Sequence, residues 1–373
     1  MQIGIDIGPI TSDRTGVGNY CYYVLKHMAV RSQDCTFKGF ASGRRSIALG
    51  EIAPLVPYRH VPVPTRLLYA LWNVLGVPGI DTLRGGVDVY HATNYFLPPT
   101  LKARRVVTVH DLAFLAHPAL CSPRIVGPFS RNIRRFVRDA HAVLVYSEST
   151  KRDIMRLLEV DSAKITVAPM AADDGFAPLP RDRAIREVEA RYGLKQPYIL
   201  AVGTLEPRKN IAALFRAFAQ LADDVPHTLA LAGGEGWKSA ALLSLAEKLG
   251  ISGRVMRAGF VPHSRLPALY CAADVLAFPS WYEGFGLPVL EALTCGCPVV
   301  AANNSAIPEV AGDAAIYVDA DDVDGLAGGI RRVLEDTALR ETMVTKGKER
   351  ARRFSWDDCA DATLATYAKV VSC

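Results

Sequence analysis

The sequence predicts an α/β protein made of two Rossmann-like domains with parallel sheets, and three observations carry that prediction. Short apolar runs of strand length alternate with helix-length segments along both halves of the chain, as in parallel sheets covered by helices on both faces. A Pro/Gly-rich stretch, DDGFAPLP at 173–180, breaks that rhythm and reads as a linker. The length of 373 residues, 50% hydrophobic and 22% charged, suits about two domains with sizeable cores. The expected domains are a first Rossmann-like domain over 1–173, the one an acceptor would use, and a second over 174–354, the one an anionic donor would use, followed by an amphipathic helix over 355–373.

In the first half, strands are expected at 2–7, 37–41, 87–91, 105–110, 142–147 and 164–168. The segment GPITSDRTGVGNY follows the first strand, and a helix is expected from about 19 to 30. Gly16 and Gly18 could open a dinucleotide loop, but Cys21 stands where a third glycine belongs, and the loop lies too far from the strand end. A nicotinamide oxidoreductase is therefore disfavoured. The apolar segment at 67–80, LLYALWNVLGVPGI, reads first as a core helix, with an interfacial helix as the alternative. His110 ends the strand RVVTVH, and in α/β sheets the carboxyl ends of strands are where ligands bind. Arg131, Arg134, Arg135 and Arg138 recur at helical spacing and form one basic face. A solvated face is the ordinary reading; anionic headgroups or a lipid-linked diphosphate acceptor would also suit it. No nucleic-acid motif accompanies these arginines. Ser147 and Glu148 end a strand and are weak candidates for a ligand-facing position. Residues 1–180 hold 21 Lys+Arg against 14 Asp+Glu, and the remainder holds 22 against 24. The basic first half points to an anionic partner.

In the second half, strands are expected at 198–202, 228–232, 254–258, 274–278, 298–301 and 315–318. The first is followed by GTLEPRKN. Adjacent Arg208 and Lys209 at a strand-to-helix turn are costly to hold together unless an anion sits between them, and a diphosphate is such an anion. Gly233, Gly234 and Gly236 follow the next strand, and GFVP at 259–262 the one after. The fourth strand leads into PSWYEGFGLPVLEALTCGCPVVAANNSAIPEVAG. Here Leu287-Pro288 opens a helix and Gly296 closes it. Gly284 and Gly286 let backbone approach an anion at the helix start. Glu283 and Glu291 flank that anion site, which is unfavourable unless each has hydroxyls or cations to bind. Sugar hydroxyls on one side and ribose hydroxyls on the other would supply them.

Eight cysteines show no CxxC or Cys/His spacing, so reduced thiols are expected, and Cys295 and Cys297 read as small buried residues. The start, MQIGIDIGPI, lacks the features of a signal peptide, and no apolar stretch is long enough to span a bilayer. No Asp-x-Asp motif is placed for a nucleotide-bound metal. The expected location is cytoplasmic, extended by the basic face to a peripheral position on the inner face of the plasma membrane.

The segment EGFGLPxxEALxxGxPVV, running from Glu283 to Val300, resembles the E-x7-E element of glycosyltransferase family 4, the retaining GT-B enzymes whose two domains face a central cleft. GTLEPRKN is a second match and the HDL triplet at 110–112 a third, so the resemblance covers nearly the whole chain. It implies that Glu283 contacts the donor sugar, Glu291 the ribose, and the amides of Phe285, Gly286 and Leu287 the diphosphate. It further implies that Arg208 and Lys209 hold the phosphates and that His110 faces the donor sugar and the attacking hydroxyl. Gly16 and Gly18 would form a glycine-rich loop facing phosphates and acceptor, and Val261 would touch the base through its backbone. Thr204 departs from the family pattern, since many relatives carry Arg there. The last helix would return to the first domain. The wording VGTLEPRKN and TVHDL is most similar to bacterial mannosyltransferases of O-antigen, capsule and exopolysaccharide assembly. That similarity implies transfer of a hexose from GDP-mannose to a glycan or lipid-linked acceptor, with no cofactor and no metal. A UDP- or dTDP-sugar donor, or a non-catalytic sugar- or lipid-binding protein, is the alternative.

Overall fold

The computed structural model describes every residue except 13, 33, 45, 46, 84 and 373, with only the backbone at position 83. Cys373 therefore lies outside the described residues, and the seven described cysteines are free thiols. The chain divides into two compact units. Unit 1 comprises Met1–Leu115, Val126–Met170 and the segment from Ser355 onward; unit 2 comprises Ala116–Ile125 and Ala171–Phe354. The excursion of Ala116–Ile125 into unit 2 was not expected from the sequence.

The sheet of unit 1 contains β1 (Gln2–Asp6), β2 (Thr36–Ser42), β3 (Tyr58–Val61), β4 (Val89–Ala92), β5 (Arg104–Thr108), β6 (Ala142–Val145) and β7 (Ile165–Val167). Its order is β3-β2-β1-β4-β5-β6-β7, and every pairing is parallel. Helices cover both faces of such a sheet, so its inner strands are nearly continuous apolar runs. Ile3, Ile5, Val89, Val106, Val107, Val143 and Leu144 are all fully buried. The edge strand β3 escaped the sequence reading because it is short, flanked by Pro57 and Pro62, and mostly exposed.

The expected loop at Gly16 and Gly18 is not a loop. Both glycines lie in the first turn of the helix Gly16–Arg31. A side chain at Gly18 would come within 2.6 Å of the Pro9 carbonyl, so close packing requires this glycine, whereas Gly16 faces open space. The helix Trp356–Ser372 belongs to unit 1 and packs on Gly16–Arg31, with Trp356 stacked on Tyr23.

The segment at 67–80 is not a core helix either. The helix Thr65–Leu75 buries Leu68 and Trp72 but leaves Leu67 (62%), Val74 (81%) and Leu75 (60%) exposed. It ends at Gly76, in the left-handed conformation typical of helix C-termini. Trp72 and Tyr69 stack on Phe96, which meets Phe136 of the basic helix Pro123–Asp139. Arg135 of that helix donates to Asn73, while Arg131, Arg134 and Arg138 are exposed.

The sheet of unit 2 contains β8 (Tyr198–Val202), β9 (Thr228–Ala232), β10 (Val255–Gly259), β11 (Val275–Phe278), β12 (Val299–Ala302) and β13 (Ala315–Val318). The order β10-β9-β8-β11-β12-β13 is again wholly parallel and reverses direction between β8 and β11. One side of this sheet packs against the helices Ile211–Leu221 and Val323–Glu335 through Leu214, Phe215, Phe218, Ile330 and Val333. In open α/β sheets, the point where strand order reverses is where ligands bind, outside the carboxyl ends of the strands.

Candidate functional site

At that reversal, the loop after β8 and the loop after β11 are tied together. Asn210, in a left-handed conformation, donates from its side chain to the Pro279 and Ala320 carbonyls at 3.1 and 2.6 Å. The Trp281 amide donates to the Arg208 carbonyl at 2.9 Å, and the Glu283 amide to the Ser305 hydroxyl at 2.9 Å. These bonds fix Glu283 against the two cations expected at the phosphates. Lys209 Nζ lies 2.6 Å from Glu283 Oε1, and Arg208 Nη1 lies 2.9 Å from Glu283 Oε2. Arg208 is itself held: Nη1 donates to the Tyr282 carbonyl at 2.8 Å, and Nε and Nη2 donate to Glu206 Oε1 at 3.1 and 2.8 Å. Glu206 stands in the GTLEPRKN stretch, and its Glu-x-Arg spacing was the available signal for this pairing.

The cluster is largely closed to solvent, with Glu283 only 7% exposed. Burial alone would raise the Glu283 carboxyl, but the charges of Arg208 and Lys209 override it and hold the group at about 2. Burial lowers the Lys209 ammonium, against the opposing pull of the Glu283 carboxylate. The three side chains form a close group largely closed to solvent, where electrostatic interactions are stronger than in water.

Gly286, at φ +100°, caps the helix Leu287–Cys295 in a conformation that favours glycine, and Gly296 at φ +77° ends it. Among the described residues, the Gly286 and Leu287 amides form no hydrogen bond, so two donors stand at the positive end of the helix. Phe285 is buried with its ring against Phe354.

Glu291 sits inside this helix at 3% exposure. Its Oε2 accepts from the Tyr270 hydroxyl at 2.8 Å, and its Oε1 lies 3.7 Å from His263 Nδ1, whose other nitrogen meets Asp173 at 2.8 Å. Burial pushes the Glu291 carboxyl up to about 7 against the pull of His263 and the Tyr270 hydrogen bond. In the unfolded chain it returns to its ordinary 4.5. The folded protein thus holds this proton more firmly. The contribution to stability is complete below about pH 4.5 and is lost as pH rises through 7. At 1.36 kcal/mol per unit it amounts to roughly 3 kcal/mol. Between pH 5 and 7.5 the wild type is expected to lose this stability relative to Glu291→Gln, measured by denaturant unfolding. Identical pH slopes would show that the carboxyl is ionised throughout.

The remaining expected residues of unit 2 fall in strand-end loops. Thr204 is exposed after β8, and Val261 is buried after β10. The loops after β8, β9 and β10 are stitched together by Leu205 N–H to Gly234 O at 3.0 Å and Gly233 N–H to Gly259 O at 2.8 Å.

In unit 1, His110 lies just past the end of β5, buried among Tyr20, Tyr95 and Tyr146. Its Nδ1 is 2.5 Å from the Tyr146 hydroxyl, and its Nε2 makes no hydrogen bond of normal geometry among the described residues. Burial lowers its pKa to about 3 despite an opposing contribution from the Thr93 backbone, so the imidazole is neutral at pH 7. Ser147 caps the helix Glu148–Leu158 by accepting from the Thr150 amide at 3.1 Å, a structural role where a ligand-facing one was considered. Among the described residues no group of three or more His, Cys, Asp or Glu could hold a metal ion, and no helix is long and apolar enough to cross a membrane.

Two family models match this chain. "Glycosyltransferase Family 4" covers residues 14–176 and "Glycosyl transferases group 1" covers residues 183–350. The chain is similar to the O-antigen chain mannosyltransferase B of Escherichia coli, at 34% identity over 391 residues, covering 98% of this chain and 99% of that one. It is also similar to the D-inositol 3-phosphate glycosyltransferase of Salinispora tropica, at 31% identity over 410 residues, covering 98% and 83%. Among solved structures, sucrose-phosphate synthase from Thermosynechococcus elongatus superposes with a TM-score of 0.78 at 21% identity, covering 100% of this chain and 99% of that one.

Proposed function

Since this chain belongs to glycosyltransferase family 4 and has the GT-B fold, we propose that it transfers mannose from GDP-mannose to a hydroxyl of a glycan or lipid-linked acceptor. The pathway would be assembly of a bacterial surface polysaccharide such as O-antigen, capsule or exopolysaccharide. The mannosyltransferase relative supports the sugar and the pathway. The observation that carries the reading is the Arg208–Glu283–Lys209 cluster beside two unbonded amides at a helix start.

A donor diphosphate brings negative charge to the cations that Glu283 neutralises. It competes for them, and the displaced carboxylate becomes available to sugar hydroxyls. As the bond to the sugar breaks, charge grows on the departing diphosphate. Lys209, Arg208 and the Gly286 and Leu287 amides are already oriented to stabilise it. This supports departure without a metal. Attack on the leaving-group face retains anomeric configuration and needs no separate general base. His110 serves as a neutral hydrogen-bonding partner through Nε2, with Tyr146 fixing the ring. Glu291, once deprotonated, accepts from ribose hydroxyls, and Val261 borders the base.

Thermal shifts with GDP, UDP, dTDP and ADP, each with and without magnesium, test this reading. A ligand at one hundred times its dissociation constant stabilises a fold by about 2.7 kcal/mol. The expected result is a magnesium-independent rise selective for GDP. A rise with UDP or dTDP overturns the donor, and no rise with any of them favours a non-catalytic protein.

The exposed apolar face of Thr65–Leu75, next to the basic helix Pro123–Asp139, supports contact with an anionic membrane surface. Such contact would place the protein on the inner face of the plasma membrane. Vesicles containing anionic lipid should carry the protein upward in flotation at low salt and release it at high salt. Replacing Arg131, Arg134 and Arg138 by Gln should abolish flotation; an unchanged result removes this partner.

A further inference from the structure

We propose that a cavity in unit 2, between the helices Ile211–Leu221 and Ser239–Lys248, is a saccharide subsite for hexose units already present on the acceptor. The proposal rests on the glycosyl-transfer reading above. The cavity has a volume of about 460 Å³, within the range of roughly 300–1,000 Å³ typical of small-molecule sites. Its lining is mostly apolar, and it includes Trp237 and Trp281, two of the four tryptophans in the chain. A pyranose ring presents a flat face of C–H bonds to an indole and a rim of hydroxyls to neighbouring polar groups. Two indoles supply such faces here, and Glu206, Asn210, Ser244 and the cations Arg216, Lys238 and Lys248 on the same lining supply partners for the hydroxyl rim.

The polar groups are suitably placed. The Trp237 indole N–H is buried and makes no hydrogen bond among the described residues. Lys238, an exposed residue of the lining, holds its ammonium 4.5 Å from the Trp237 ring centroid and can swing aside. A sugar then replaces the ammonium on the ring face and offers oxygens to the N–H. The carboxyl on the lining is Glu206, which accepts from Arg208 Nε and Nη2. Arg208 in turn grips Glu283. The cavity therefore shares a wall with the catalytic cluster, and a hydroxyl that bonds Glu206 touches the carboxylate orienting the phosphate-side arginine.

Intrinsic tryptophan fluorescence reports on this cavity directly. The full chain is titrated with a linear mannose tetrasaccharide in the absence of donor, and separately with pyrophosphate. Ser244→Phe and Ala241→Phe place a ring into the cavity from exposed helix positions, and unfolding curves verify that each variant is folded. The tetrasaccharide should give a saturable change that weakens by about tenfold or more in both variants, a loss of about 1.4 kcal/mol in binding. In transfer assays the variants should raise KM for the tetrasaccharide acceptor but not for a monosaccharide acceptor, and the GDP-induced thermal shift should persist. No saturable change, a change in both variants as strong as in the wild type, or a response to pyrophosphate that the variants abolish overturns the subsite. If GDP still shifts the melting temperature, only the subsite fails; if GDP gives no shift either, the glycosyl-transfer reading fails with it.

Discussion

Glu283→Gln is expected to lower transfer by about 10²–10³-fold, the range seen when one preorganised polar group is removed from a reacting centre. The same substitution should alter the stability of the fold in a way that identifies the cause. In the wild type Glu283 bridges both cations, at 2.6 Å from Lys209 and 2.9 Å from Arg208, while Glu206 also accepts from Arg208. Gln keeps the shape and removes the charge, so Lys209 loses its carboxylate and Arg208 keeps only Glu206, in a site largely closed to water. Removing one partner of a buried ion pair costs roughly 3–5 kcal/mol. Pyrophosphate should restore much of that stability in the variant and add less to the wild type, where Glu283 competes for the same cations. A variant with wild-type transfer and an unchanged melting curve would remove Glu283 from the site.

Lys209→Met is the second change with a large expected effect, and it separates binding from chemistry. The side chain is 11% exposed, and its ammonium meets Glu283 directly. Met fills similar space without charge. Glu283 keeps its bond to Arg208, so the fold should lose less stability than in Glu283→Gln. Transfer should fall by about 10²–10³-fold, mainly in kcat, because the charge acts most on the departing diphosphate. Lys209→Arg should not restore the rate, since a planar fork does not fit a site built for a point charge. A rise in KM with kcat unchanged would mean that Lys209 contributes uniform binding only.

The central loop of unit 2 was readable because each residue there answers to one local rule. Gly286 and Gly296 take left-handed conformations at the two ends of the helix, Pro288 enters its first turn, and the flanking apolar runs are β11 and β12. The adjacent Arg208 and Lys209 likewise signalled a shared counter-charge. What the sequence could not supply was the identity of that counter-charge, since Glu283 lies more than seventy residues away and meets them only through the sheet order. Glu206 carried a local signal in its spacing from Arg208, but the arginine's two carboxylate partners become apparent only once Glu283 is in place. Gly16 and Gly18 show the opposite error. A glycine pair read as a loop is instead the first turn of a helix, because Gly18 packs under the Pro9 carbonyl. The segment at 67–80 misled because apolar content alone does not say which side of a helix is covered. Burial of Glu291 was equally invisible, depending on Tyr270 and His263 from other elements.

Unit 1 is completed by a segment that follows unit 2 in the chain. Tyr367, on the helix Trp356–Ser372, reaches His91 Nδ1 at 2.7 Å, and His91 Nε2 meets the Thr108 hydroxyl at 2.7 Å. Tyr20 closes the series at 3.0 Å from Thr108. These groups are buried, so without Tyr367 the imidazole nitrogen of His91 would be left without its partner in the interior. During synthesis, domains ordinarily fold in the order in which they leave the ribosome. Here the parts of unit 1 made before Ala171 must wait for a helix made after Phe354, while Ala171–Phe354 of unit 2 can emerge and fold in the interval. A nascent chain arrested before Trp356 would hold a folded second unit and an incompletely sealed first one.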